Sequence, residues 1–338
     1  MAYNHYFVIG YICILFPIIY YTTDYLKSIL LYLHAIGAAY GVLFIIHFSQ
    51  DNKGGEMYGV LQPILSNINM VPKTLWFNMG LWNKPNLSFP EACENLVNEV
   101  TTKLNIQPYS TILDIGFGCG DSCIFLAEKY KASVVGITNE ESQWKVATDR
   151  VREMKFTNNQ QIRLFHGSAD DLNTLLLPSQ RYDYVISIDS AYHFNTRWDF
   201  LKNVYGKLDD KKEGSGMIGI YDLTVNPLFL KNASYLQRYI FQLIAKLVHI
   251  PIQNLITANV YQQQMIELGY KDVEIQTIDR QLVFGGLSEH FRQQYNQATK
   301  YGATISLFAM IYLKFSIIIF NLLARKSWLV PVIIKGKK

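Results

Sequence analysis

The segment Leu113-Asp114-Ile115-Gly116-Phe117-Gly118-Cys119-Gly120-Asp121 concentrates the residue types that can do chemistry in this chain. A short apolar run, Thr111 to Ile115, leads into three glycines at alternate positions, and a helical pattern opens at Ser122. Glycines in such a turn accept positive φ and let the backbone approach a ligand with no Cβ in the way. A turn of this kind delivers the ligand to a helix N-terminus at the carboxyl edge of a sheet. The third glycine comes one residue too early for the G-x-G-x-x-G dinucleotide spacing, and no lysine follows as in a phosphate-binding P-loop. Asp114, just before the first glycine, suits a ligand with an ammonium group better than a pyrophosphate. Cys119 and Cys123 stand four apart, but Cys13 and Cys93 are remote, so no zinc site and no disulfide framework is expected.

The elements that must hold this turn alternate. Glu91 to Leu104 has helical periodicity, and Thr111 to Ile115 reads as a short buried strand. A helix over Ser122–Tyr130, a strand over Ala132–Ile137, a helix over Glu141–Met154 and a strand over Gln161–Phe165 follow. Next come a strand over Tyr182–Ile188, a helix over Arg197–Leu208 and a strand over Gly216–Tyr221. Strands separated by helices of this length predict an α/β fold, a Rossmann-like parallel sheet with helices on both faces. Asn226 to about 270 breaks the alternation and reads as a helical insertion roofing a pocket, ahead of closing strands at Val273–Ile278 and Trp328–Ile334.

These motifs, together with Trp76-Phe77-Asn78-Met79-Gly80-Leu81-Trp82 and Asp189-Ser190-Ala191-Tyr192-His193-Phe194-Asn195-Thr196-Arg197, resemble the class I S-adenosylmethionine-dependent methyltransferases. The similarity is to the branch of sterol C-methyltransferases, cyclopropane fatty acid synthases and macrolide-type small-molecule O-methyltransferases, and it covers residues 75–225 best. It implies S-adenosyl-L-methionine as cofactor, with Asp114, Gly116, Gly118 and Gly120 lining its methionine part. Asn139 and Gln143, after the second strand, are the implied ribose contacts, although the usual carboxylate is missing at that place. Gly167-Ser168-Ala169-Asp170 replaces the usual Gly-Asp-Ala at the adenine and leaves open whether Ser168 or Asp170 faces the base. Trp82 and Tyr58 are candidates for an aromatic lid. His193, just beyond the fourth strand, is the candidate catalytic residue, since imidazole accepts a proton near neutral pH. Asp189 is expected to orient it or to lie near the sulfonium. The remaining histidines show no metal spacing.

Outside this domain the chain is unusually apolar. Phe7–Tyr21 and Ile29–Phe48 are two runs without formal charge, and the second has the ~20 residues that a bilayer core demands of a helix. No basic n-region precedes them, so an uncleaved anchor of one helix or a hairpin over 1–50 is expected rather than a signal peptide. Residues 51–90 hold the turn formers of a linker and cofactor lid, and 91–338 form the methyltransferase domain. Ala303–Leu323 is apolar but carries Lys314 at its middle, which fits a helix packed on the domain and grazing the bilayer surface better than a span. A net charge of +4 without a long basic run argues against nucleic acid. The expectation is a membrane-associated enzyme on an internal membrane such as the endoplasmic reticulum, its domain facing the cytosol where the cofactor is made. Its acceptor is expected to be hydrophobic, of sterol, isoprenoid, fatty acyl or polyketide type. The rivals are an N-methyltransferase of a small amine or phosphobase and a non-catalytic membrane adaptor that kept the fold.

Overall fold

The computed structural model describes residues 74–154, 161–209, 211–212, 214–300 and 307–338. Both apolar N-terminal runs, the expected anchor, most of the linker and Tyr58 lie outside the described residues.

Helix α1 (Phe89–Leu104) starts at Ser88, whose hydroxyl accepts the N–H of Glu91 while the Glu91 carboxylate accepts the N–H of Ser88. This reciprocal cap fixes the start, and Asn105 in the left-handed region ends it. Its stripe of Leu96, Val97, Val100 and Leu104 is fully buried, and a Cβ on Gly219 would come within 2.7 Å of Leu104, so helix and sheet touch closely there. Strand β1 (Thr111–Ile115), helix α2 (Asp121–Tyr130), β2 (Ser133–Thr138), α3 (Glu141–Glu153) and β3 (Ile162–His166) follow. A short helix α4 (Leu172–Leu175), β4 (Tyr184–Ile188), α5 (Arg197–Lys207) and β5 (Met217–Val225) complete the alternating half. Then come α6 (Pro227–Asn232), α7 (Tyr235–Leu247), α8 (Ala258–Glu267), β6 (Lys271–Thr277), α9 (Phe284–Lys300), α10 (Leu307–Arg325) and β7 (Leu329–Lys337).

The seven strands form one sheet in the order β3-β2-β1-β4-β5-β7-β6. The first five are parallel, and β7 is inserted antiparallel between β5 and β6. Central strands covered on both faces read as continuous apolar runs, as YVISI does in β4. Strand β5 runs four residues beyond its expected end because β7 pairs along its whole length, from Met217↔Lys337 to Val225↔Leu329. The strand order reverses between β1 and β4, and in open α/β sheets a ligand lies outside the carboxyl ends at that point. Helices α6, α7 and α8 occupy the connection from β5 to β6, where the sequence expects its insertion. Helix α10 packs along α9, with the Lys314 ammonium 5.3 Å from the centre of the Tyr295 ring. Among the described residues no helix is long and apolar enough to cross a membrane.

Candidate active site

The glycine turn lies at the carboxyl end of β1 with all three glycines at positive φ. Gly116 is packed tight: a Cβ there would fall 2.4 Å from the Ser190 hydroxyl. Gly118 is the opposite case, since at φ +60 its absent side chain faces open space, with no heavy atom of the described residues beyond its chain neighbours within 4 Å. That bare backbone, just ahead of α2, is what a cofactor approaching the helix N-terminus needs. Asp114 is 1% exposed and accepts the Ser122 hydroxyl at 2.5 Å and the Cys123 thiol at 3.3 Å. Burial pushes its carboxyl up to about 6, against the pull of those two donors. Asp121, bridged by both guanidinium nitrogens of Arg150, accepts the N–H of Leu75 at 3.0 Å. Leu75–Asn78 are thereby held over the turn, and a small cavity of about 20 Å³ separates them from Gly116, Phe117 and Ser122.

Trp82 does not join that wall. Its indole N–H donates to the Met79 carbonyl, its ring lies 5.5 Å from that of His290, and a Cβ on Gly286 would run into it. It fastens the end of the 75–82 peptide to α9, and the residues facing the turn are Leu75–Asn78. At the end of β2, Gln143 is 4% exposed on the first turn of α3, whereas the Asn139 side chain is exposed. A buried carboxylate stands one residue beyond Asn139: Glu140, 7% exposed, immediately before α3. After β3, Ser168 caps a short 3₁₀ turn by accepting the N–H of Asp170 and donating to its carboxylate. Ala169 is buried, and burial raises the Asp170 carboxyl above the usual range.

The carboxyl end of β4 supplies the third part. Asp189 stands in the left-handed region at φ +59, a conformation that aspartate tolerates better than most residues. Its Oδ1 accepts the Tyr192 hydroxyl at 2.6 Å and its Oδ2 the N–H of Met79 at 2.7 Å. Burial raises this carboxyl to about 6 as well. Asp189 thus grips the 75–82 peptide, and the His193 ring is instead held through Nδ1 by the His249 carbonyl at 3.2 Å. A carbonyl only accepts, so Nδ1 carries the hydrogen and Nε2 is left as a base. Burial pulls the imidazole down to about 4 and keeps it neutral near pH 7. Behind it, Arg197 and Asp222 form an ion pair at 3.0 Å with both side chains wholly buried. Tyr261 donates to Asp222, and Arg197 donates to the carbonyl of Asn254, whose amide donates in turn to the carbonyls of Tyr192 and Phe194. This network sets the path of the 189–197 loop. Only Arg197 of it lies in a motif the sequence singles out; Asp222, Asn254 and Tyr261 come from distant elements.

His193 and Met79 look into a second cavity of about 140 Å³. Its walls are apolar: Phe241, Ile244 and Ala245 of α7 face Ile319, Phe320 and Leu323 of α10. Among the described residues no Asp or Glu lines it. Among the described residues no cluster of His, Cys, Asp or Glu is placed to hold a metal ion.

Comparison with known proteins agrees with this geometry. The family model described as mycolic acid cyclopropane synthetase matches residues 69–244. Erythromycin 3''-O-methyltransferase of Saccharopolyspora erythraea is 28% identical over 205 residues, 60% of this chain and 64% of that protein. Sphingolipid C9-methyltransferase of Komagataella phaffii is 29% identical over 131 residues, 36% of this chain and 26% of its own. The chain therefore spans less than two thirds of these curated relatives. In fold it is similar to the cyclopropane synthase MmaA2 from Mycobacterium tuberculosis, with a TM-score of 0.64 at 16% identity over 84% of this chain and all of that one. A structure of mycolic acid cyclopropane synthase CmaA1 complexed with SAH and CTAB scores 0.62 at 18% identity, covering 79% of this chain and 91% of that one. With its glycine turn, sheet order and family match, the chain belongs to the mycolic acid cyclopropane synthetase family of class I S-adenosylmethionine-dependent methyltransferases.

Proposed function

We propose that this protein moves a methyl group from S-adenosylmethionine to a hydrophobic, lipid-like small molecule whose reacting end sits between α7 and α10. The observation that carries this reading is the 140 Å³ apolar cavity, which His193 borders. The 75–79 peptide walls both spaces, with Leu75–Asn78 on the glycine turn and Met79 on the cavity, so donor and acceptor would meet across it. The cofactor supplies a methyl already activated on a sulfonium. The protein's share is then alignment and exclusion of water, which together account for most of such a rate. Gly116, Gly118, Gly120 and Asp114 would hold the methionine part, and Glu140, Gln143 and Asn139 the ribose. Ser168, Ala169 and Asp170 would hold the adenine. His193 Nε2 would take the proton of a hydroxyl acceptor as its oxygen attacks, or the later proton of a carbon acceptor.

An amine or phosphobase acceptor is disfavoured, because an ammonium group would meet no carboxylate among the described residues that line the cavity. The apolar runs at 7–21 and 29–48 support membrane association, and a cofactor made in the cytosol supports a domain facing it; fractionation of the tagged full chain tests the association. The acceptor is tested by labelled methyl transfer to a lipid extract, with Gly118→Arg as the cofactor-blind control. Ala245→Phe fills the cavity and is expected to abolish transfer while S-adenosylhomocysteine still binds. Equal counts from the wild type and Gly118→Arg, or full activity of Ala245→Phe, would overturn the proposal.

A further inference from the structure

The helices that wall the acceptor cavity also carry seven of the fifteen large apolar side chains exposed among the described residues. On α7, Tyr235 is 94% exposed, Leu236 67% and Tyr239 64%, and with Ile240 they form one side of the helix. Phe241, Ile244 and Ala245, on the other side, face the cavity. On α10, Ile311, Phe315 and Ile318 are each more than half exposed at helical spacing, next to the Ile319 and Phe320 that line the same cavity. Such a stripe is ordinarily buried, and one exposed among polar side chains, as on α7 beside Gln242 and Lys246, marks an interaction surface.

Charge identifies the partner. No Asp or Glu occurs between Asp222 and Glu267, which spans α6 and α7, or anywhere after Glu289, which spans α10. The same two stretches carry Lys231, Arg238, Lys246, Lys314, Arg325 and Lys326, all exposed. Exposed apolar side chains among cations without anions match the headgroup boundary of an anionic bilayer, where each basic residue adds about fivefold to partitioning. Cavity size points the same way. At 140 Å³ it falls below the ~300 Å³ of a pocket that encloses a drug-sized ligand. It admits the reacting end of a lipid and leaves the rest outside, against these two helices.

We infer that the outer faces of α7 and α10 dock on an anionic lipid surface, so that the acceptor enters the cavity from the bilayer without crossing water. The inference rests on the lipid-acceptor reading above. Its test uses the full chain reconstituted into vesicles of phosphatidylcholine alone or mixed with phosphatidylglycerol. An environment-sensitive fluorescent amino acid replaces Leu236, Ile318 or, as a control, Tyr109, which is 71% exposed at the amino end of β1. Because the probe reports local burial, tethering by another part of the chain does not by itself produce a signal. Emission is expected to shift to the blue at 236 and 318 in the mixed vesicles, to reverse with salt, and to stay at its water value at 109. Leu236→Glu/Ile318→Glu is expected to lose transfer to vesicle-embedded acceptor at least tenfold and to keep transfer to detergent-dispersed acceptor. Water-like emission at both positions overturns the inference, as does a shift of equal size at 109. A shift that follows protein concentration instead of lipid makes the partner a second copy and overturns it too. Methylation of dispersed lipid with both probes in water would leave the acceptor reading standing alone. Burial of both probes with no lipid methylated would remove that reading and leave the docking.

Discussion

Replacing Asp114 by asparagine should make the ligand-free protein more stable and the cofactor complex weaker. The carboxyl is 1% exposed, and its pKa rises from the ordinary 3.8 to about 6 because burial disfavours the charge more than Ser122 and Cys123 favour it. The sign follows from proton binding. Between pH 4 and 6 the folded chain holds this proton and the unfolded chain does not, so stability falls as pH rises through that window and stays low above it. The rise from 3.8 to about 6, at ~1.4 kcal/mol for each tenfold change in proton affinity, sets a ceiling near 3 kcal/mol for the cost at pH 7. The new amide needs partners of its own, which takes back roughly 1–2 kcal/mol and leaves a net gain of about 1–2. The assay is urea unfolding of wild type and Asp114→Asn at pH 4.5, 5.5, 6.5 and 7.5, with titration of S-adenosylhomocysteine by calorimetry at pH 7.5. Comparing the two chains cancels every other titrating group: their stability difference should grow from pH 4.5 to 6.5 and then level. A difference that stays flat across that range, or a variant that loses stability at pH 7.5 while binding normally, would refute the reasoning.

Three further outcomes follow from the same geometry. Arg197→Met strands Asp222 in a fully buried site and should cost about 3–5 kcal/mol in urea unfolding, whereas Arg197→Met/Asp222→Leu should recover a large part of that loss. Gly118→Ala should unfold within about 1–2 kcal/mol of wild type, since its Cβ meets open space, and should weaken cofactor binding in calorimetry; Gly116→Ala, facing Ser190 at 2.4 Å, should give little folded protein. His193→Asn should lower kcat by about 10²–10⁴ with an oxygen acceptor and leave cofactor affinity unchanged. Because burial holds the wild-type ring near 4, His193 stays a base above that value, so its contribution to kcat should be level from pH 6 to 8 and fall only as the pH drops toward 4.

Much of the domain is legible in the sequence because local signals and the sheet agree there. TILDI, ASVVGI and YDYVISI are short apolar runs bounded by turns, and the structure places them as β1, β2 and β4. The strand near the end, from Trp328, reads as the last of the sheet, but its antiparallel insertion between β5 and β6 is a long-range pairing that no local pattern encodes. The same limit governs the site. The reading names Asn139 and Gln143 and passes over Glu140 between them, because only burial separates Glu140 from Asn139: the first is 7% exposed and the second lies open at the surface. Trp82 reads as a candidate for the lid by the resemblance, but its direction depends on Gly286, two hundred residues on, which leaves room for the ring. The His249 carbonyl that orients His193 is a backbone atom and has no sequence signal at all.

The strained backbone at Asp189 and the two carboxylates that grip the 75–82 peptide point to one mechanical unit. Asp121 accepts the N–H of Leu75 on the cofactor side, and Asp189 accepts the N–H of Met79 on the acceptor side. The space beneath Leu75–Asn78 is about 20 Å³, room for little more than a water, so a methionine tail entering there would displace the peptide. Its other wall is the acceptor cavity, through Met79. Movement of one face is then movement of the other, and cofactor and acceptor affinities become linked by the same free energy in both directions. Asp189 is the residue that carries this linkage, because its second oxygen holds Tyr192 beside His193. Asp189→Asn keeps the left-handed backbone, which asparagine also tolerates, and gives up the charge that strengthens both hydrogen bonds. The physical content of the linkage is therefore a reduced effect of S-adenosylhomocysteine on acceptor affinity in that variant, with each ligand still bound. Two equal coupling factors, wild type and variant, would place the linkage elsewhere in the fold.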